Sequence, residues 1–309
     1  QSKKLQGQGA QILRNEEYLR YTAVTKDAAE RRSWTFYKAI NHQYERNSKM
    51  NYNNLLFTVE EGIATITFNR PKAFNAMNSE TMSEFKDAVT ICRGRDDIRV
   101  IILTGSGDKA FVAGADIAQM QDQEPREALA FMELGHETLR LLETAPKPSI
   151  AAINGFALGG GTEISMACDM RFAAATAKFG QPEILIGLIP GWGGTQRLPR
   201  LIGMGRAKEL VLGGGQIDAQ RAYEIGLANR IYPPETLMKE TLKFARKLSA
   251  LPPFQMKMAK HSINFGYDLP LDNANMLEIE CCAQCFSTRD QKEGMKAFIE
   301  KRKPVYIGR

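Results

Sequence analysis

The chain has 309 residues, 43% hydrophobic and 25% charged, the balance of a soluble globular protein, and no apolar run in it is long enough to span a membrane. Its net charge of +6 sits almost wholly in residues 1–49, where ten Lys/Arg meet five Asp/Glu; the rest of the chain carries 31 against 30, which argues against a broad nucleic-acid-binding face there. Five cysteines, odd in number and irregularly spaced, point to a reducing compartment, the cytoplasm or, in a eukaryote, the mitochondrial matrix.

Residues 1–49 are polar and Gln/Arg-rich, with a helical pattern near Lys26–Tyr44. Glu16, Glu17, Asp27, Glu30 and Glu45 count against a transit peptide, and no secretory leader is evident, so the segment reads as an added leader or upstream extension ahead of a natural start at Met50. Leu55–Val59 and Ile63–Phe68 have strand character, with Glu60-Glu61-Gly62 as a hairpin turn. A loop through Met77 precedes a helix from Ser79 to about Cys92, and Val100–Leu103 reads as a buried strand. Lys109–Ile117 reads as a loop, and Pro125–Glu143 as a long helix stopped by Pro146 and Pro148. Met170–Ala174 is a further short strand. From about Leu198 the chain is mostly helical, with segments at Asp218–Ile225, Pro234–Ser249, Pro253–Phe265, Asp272–Phe286 and Arg289–Arg302. Strands alternating with helices predict an α/β fold with largely parallel pairing, followed by a helical C-terminal part.

The stretch Ser149–Met166 carries the densest chemical signal. An apolar run, Ser149–Ile153, turns at Asn154-Gly155, and Gly159-Gly160-Gly161 then opens a helical segment with Glu163 in its first turn. A glycine-rich turn at a helix N-terminus leaves backbone N–H groups free to face a ligand that glycine lets come close. An acid beside such donors suits chemistry on a carbonyl compound. The same glutamate also satisfies the helix dipole alone.

Other chemistries find no footing. The chain has no G-x-x-x-x-G-K-[ST] phosphate loop, no G-x-G-x-x-G dinucleotide turn with its ribose-binding acid and no G-x-S-x-G elbow. His42, His136 and His261 lie outside the glycine-rich motifs, and Cys281, Cys282 and Cys285 lack a second Cys/His pair for a zinc site. What remains is carboxylates beside backbone amides.

Four motifs in order, Lys109–Ile117, Asn154–Glu163, Phe179–Glu183 and Pro190–Leu198, together resemble the enoyl-CoA hydratase (crotonase) family. The resemblance covers about Asn54–Arg302 and includes a short-chain-hydratase-like ending, Phe298-Ile299-Glu300-Lys301-Arg302-Lys303. It implies a crotonase-like spiral of ββα turns over 50–248, a helical trimerisation region over 249–309, and a homotrimer or a hexamer of paired trimers. It implies an acyl-CoA thioester as substrate and no separate cofactor. By the same resemblance the N–H groups of Ala115 and Gly160 form an oxyanion hole, Glu163 and Glu183 are the catalytic acids, and the N–H of Gly191 holds a water. Lys72, Ala73, Lys109, Ala113, Asp116 and Ile117 match CoA-contacting positions, and Phe298 and Lys301 match positions reaching the CoA of a neighbouring subunit. Trp192 departs from the smaller or phenylalanine residues expected there; it either shortens the acyl pocket or fills core space.

The expected activity is hydration of a short-chain 2-enoyl-CoA. The alternatives are double-bond isomerisation or another reaction of the family, and an RNA-binding relative, for which only the basic leader speaks. The leader is expected to be dispensable: a chain beginning at Met50 should keep its hydration rate and oligomeric mass, and loss of activity with folding intact would contradict this.

Overall fold

Short apolar strands separated by helices resolve, in the computed structural model, into two sheets fed in turn by the same run of chain. The structure describes residues 52–309; residues 1–51, and with them the helix expected near Lys26–Tyr44 and the start expected at Met50, lie outside the described residues. The first sheet holds β1 (Leu55–Glu60), β2 (Ile63–Phe68), β3 (Val100–Gly105), β5 (Ser149–Ile153), β7 (Met170–Ala174) and β10 (Arg230–Tyr232), in the order β1-β2-β3-β5-β7-β10. The second holds β4 (Ala110–Val112), β6 (Phe156–Leu158), β8 (Lys178–Gly180) and β9 (Gln216–Asp218), in that order. From β3 to β8 the chain lays a strand in the first sheet and then a short strand in the second; after β4 and β6 a helix comes next. This is the expected ββα spiral.

Burial explains the strand sequences. β3 is buried at every position between parallel β2 and β5, and it reads Val-Ile-Ile-Leu-Thr-Gly. β1, at the edge, alternates in burial and pairs antiparallel with β2. The turn joining them needs two left-handed residues, Glu61 (φ 51°) and Gly62 (φ 77°), the backbone of a tight hairpin.

The helices are α1 (Ser79–Gly94), α2 (Ile117–Met120), α3 (Pro125–Glu143), α4 (Gly160–Ala167), α5 (Gly194–Ile202), α6 (Met204–Gly213), α7 (Ala219–Glu224), α8 (Leu237–Ser249), α9 (Pro253–Gly266), α10 (Leu271–Cys285) and α11 (Arg289–Ile299). Asn78 starts α1 by accepting from the Thr81 N–H at 2.8 Å. A capping box between Glu124 and Glu127, with Pro125 in the first turn, starts α3. Phe68 of β2 packs edge-on against Phe85 of α1 at 5.1 Å and Phe111 of β4 at 5.7 Å, which joins both sheets and α1 in one core. In α9, Lys260 pairs with Asp169 at 2.8 Å, and Asp169 also accepts from the Ser149 N–H at the start of β5.

Two expectations are corrected. Lys109–Ile117 is not all loop, because Ala110–Val112 forms β4, and the chain after Asn154-Gly155 forms β6 before it reaches the glycines. The C-terminal half also holds β8, β9 and β10. Strands of three residues are too short to show a period of two, so pattern reading passes over them.

Candidate active site

The two short strands β4 and β6 run parallel, and the segment just after each strand builds one half of the site. After β4 the chain turns through Gly114 (φ 107°) and is clipped to the loop before α1. The Met77 N–H donates to the Gly114 carbonyl and the Asp116 N–H donates to the Met77 carbonyl, both at 2.9 Å. In this parallel bridge the residue between the two bonds, Ala115, turns its own N–H away from Met77. Asn75, buried with φ 59°, braces the clip: its amide donates to the carbonyls of Ser106 and Ala110, and its Oδ1 accepts from the Arg70 N–H.

After β6, Gly159 takes φ 50° and α4 begins at Gly160. A Cβ on Gly161 would lie 1.9 Å from the Val112 carbonyl oxygen, so only glycine lets α4 pack this close to β4. A Cβ on Gly114 would lie 3.4 Å from the Leu158 carbonyl, which brings the two halves side by side. Among the described residues neither the Ala115 N–H nor the Gly160 N–H has an acceptor. The Gly160 N–H is free because the first turn of a helix has no carbonyl below it.

Glu163, in the first turn of α4, is 1% exposed. Its Oε1 accepts from the Trp192 N–H at 2.8 Å and the Gly194 N–H at 2.7 Å, and Oε2 has no partner among the described residues. Burial pushes its carboxyl up to about 7; the Gly194 N–H opposes this and the Glu183 charge adds to it. Glu183 lies half-buried in the 3-10 turn Pro182–Ile186, and burial raises its carboxyl as well. Its Oε1 lies 2.8 Å from where a Cβ on Gly159 would be, so it stands against the turn that carries Gly160. With the buried Gln181 amide oriented to donate, its nitrogen lies 2.8 and 3.1 Å from the two Glu183 oxygens.

Both glutamates, Ala113, Ala115, Ile117, Gly160, Gly191 and Trp192 line one cavity of about 540 Å³, whose remaining wall is largely apolar, including Met120, Met132, Leu185 and Ile189. Trp192 fills core space and also borders the cavity: it is 2% exposed and lies edge-on to Phe131 at 5.2 Å. Its ring occupies the space where Gly135 and Gly160 would carry a Cβ. Lys72, Ala73, Lys109, Asp116, Phe298 and Lys301 do not border this cavity. Lys72, Lys109 and Lys301 are exposed and Phe298 is 85% exposed, whereas Asp116 pairs with Arg70 at 2.8 Å.

Sequence reading passes over Asn75, Gln181 and Met132. Asn75 is legible only as a residue type that tolerates left-handed backbone. Gln181 lies inside the Phe179–Glu183 motif with no role of its own to mark it. Met132 is one of many apolar residues on α3.

The family model described as enoyl-CoA hydratase/isomerase matches residues 58–309, and the chain belongs to that family. Over 260 residues it is 48% identical to a crotonyl-CoA hydratase of Syntrophomonas wolfei, an alignment covering 84% of this chain and 100% of that protein. It is 46% identical to a short-chain-enoyl-CoA hydratase of Clostridium acetobutylicum over 82% of this chain and 97% of that protein. The solved structure of an enoyl-CoA hydratase from Bacillus anthracis superposes with a TM-score of 0.81 at 38% identity, covering 83% of this chain and 100% of that one.

Proposed function

We propose that this protein hydrates short-chain 2-enoyl-CoA thioesters to 3-hydroxyacyl-CoA. The observation that carries the reading is the convergence of two carboxyls, one buried and one half-buried, and two unused backbone N–H groups on one apolar cavity. Ionised Glu163 takes a proton from water, and the hydroxide bonds to Cβ of the enoyl group. The double-bond electrons move toward the thioester oxygen, where the Ala115 and Gly160 N–H groups stabilise the developing charge; one such donor is typically worth ~3 kcal/mol of barrier. Protonated Glu183 delivers its proton to Cα, and a proton passes between the carboxyls through the next water to reset the pair. Burial raises both carboxyls, so the pair keeps a proton to a higher pH than free carboxyls would. The Gly191 N–H helps hold the water. No separate cofactor takes part in these steps.

Lys72 and Lys109 meet the CoA phosphates, with Ala73, Ala113, Asp116 and Ile117 around the same ligand. Phe298 and Lys301 reach the CoA of a neighbouring subunit in a homotrimer or hexamer. Exposed apolar residues on the C-terminal helices, among them Ile263, Leu271, Met276, Ile279 and Ile299, support such an assembly. The composition of residues 50–309 supports neither a membrane nor a nucleic-acid partner.

The test is a chain-length series of 2-enoyl-CoAs with the purified protein. Crotonyl-CoA should be hydrated with a higher kcat/KM than a ten-carbon enoyl-CoA, and Trp192→Ala should narrow the gap by opening the cavity wall. Equal or better use of the long substrate by the parent would contradict the short-chain assignment.

A further inference from the structure

Arg197, at the start of α5, is 17% exposed and sits behind the cavity. Its Nε and Nη2 donate to the two carboxylate oxygens of Glu143 at 3.1 and 3.2 Å, a two-pronged grip on the end of α3. Its Nη1 donates to the Trp192 carbonyl at 2.9 Å. The same short turn gives Glu163 the N–H groups of Trp192 and Gly194. Gly193, between them, has φ 103°, and a Cβ there would lie 2.2 Å from Arg197 Nη1. One guanidinium therefore holds the outer side of a turn whose inner side grips Glu163.

We propose that Arg197, clamped by Glu143, is a positioning residue for the hydration: it fixes the Trp192–Gly194 turn against Glu163 and lends that pocket a positive charge. The inference rests on the functional reading above for its effect on turnover. Arg197 is among the groups that favour ionised Glu163, while burial and Glu183 disfavour it. The other charged or titratable groups near the turn come from α3: Glu143, Arg140, which lies 3.5 Å from Glu143, and His136, whose Cε1 is 3.8 Å from the Gly193 Cβ position.

Arg197→Met should lower kcat by roughly tenfold to a hundredfold through misplacement of the turn, with KM changed less than about threefold. Loss of the positive charge raises the proton affinity of Glu163, so the acid limb of the pH–rate profile should move to higher pH. Arg197→Lys should keep that limb near the parent's. Glu143→Gln should lower kcat by loosening the clamp without moving the limb upward, since Arg197 keeps its charge. A carbon-13 NMR titration of the Glu163 carboxyl, assigned by its absence in Glu163→Gln, reads the same change without turnover. If Glu163→Gln stays active, the functional reading fails, while a displaced titration in Arg197→Met still upholds the charge effect. An unmoved limb and carboxyl in folded Arg197→Met would overturn the inference. Should that variant not fold, parental kcat in folded Glu143→Gln would overturn it.

Discussion

Glu163→Gln and Glu183→Gln should each lose roughly two to four orders of magnitude in kcat, the usual scale for a general acid or base. Acyl-CoA binding should change little, since the Ala115 and Gly160 amides remain. The double variant should be far less than multiplicatively worse, because either loss already disables the shared step. Glu163→Gln has a second expected signature. The carboxyl rises from an ordinary 4.5 to about 7 on folding because it is buried. A raised folded-state proton affinity stabilises the protein fully below about pH 4.5, and that stability is lost as pH rises through 7. Glutamine keeps an oxygen for the Trp192 and Gly194 N–H groups and never ionises. The inactive variant should therefore match the parent near pH 4 and exceed it above pH 7 by up to about 3 kcal/mol, since each tenfold change in proton affinity is worth ~1.4 kcal/mol. Chemical denaturation at both pH values checks it. A variant less stable than the parent at pH 8 would contradict the burial account.

Gly160→Ala should disable the site from its other side. The added methyl would lie 2.4 Å from Cζ3 of Trp192, whose ring is wedged between Gly135 and Gly160 and cannot retreat freely. Overpacking of this kind typically costs about 1–3 kcal/mol. Displacement of one oxyanion donor should cost roughly a hundredfold or more in kcat. In a Trp192→Phe background the smaller ring leaves room for the methyl, so Gly160→Ala should recover most of its stability and part of its rate. Equal damage in both backgrounds would show that Trp192 is not what makes glycine necessary.

Glu163 is legible because its signal is local: an apolar run, a glycine turn and an acid in the next helical turn lie within one stretch of chain. The role proposed for Glu183, the donor proposed at Ala115 and the other candidate site residues come only through resemblance, since nothing in Phe179–Glu183 alone says that it faces Gly159. The spiral itself is half legible. Long strands such as β2 and β3 declare themselves, but β4, β6 and β8, which aim the site, are three residues each. The supports of the site are not legible. Asn75 reaches Ala110 across 35 positions and Arg197 reaches Glu143 across 54, and such contacts leave no pattern within any window of sequence. The expected CoA lysines belong to the same class: a surface lysine reads alike whether or not a ligand meets it.

The most direct measurement is mass spectrometry of the product formed from crotonyl-CoA by the purified protein in water enriched in heavy oxygen. Hydration by the two glutamates should give 3-hydroxybutyryl-CoA carrying one heavy oxygen at Cβ, formed by the parent and nearly absent with Glu183→Gln. Crotonyl-CoA recovered unchanged, in a protein that interconverts 3-enoyl- and 2-enoyl-CoA, would contradict it, as would full incorporation by Glu183→Gln.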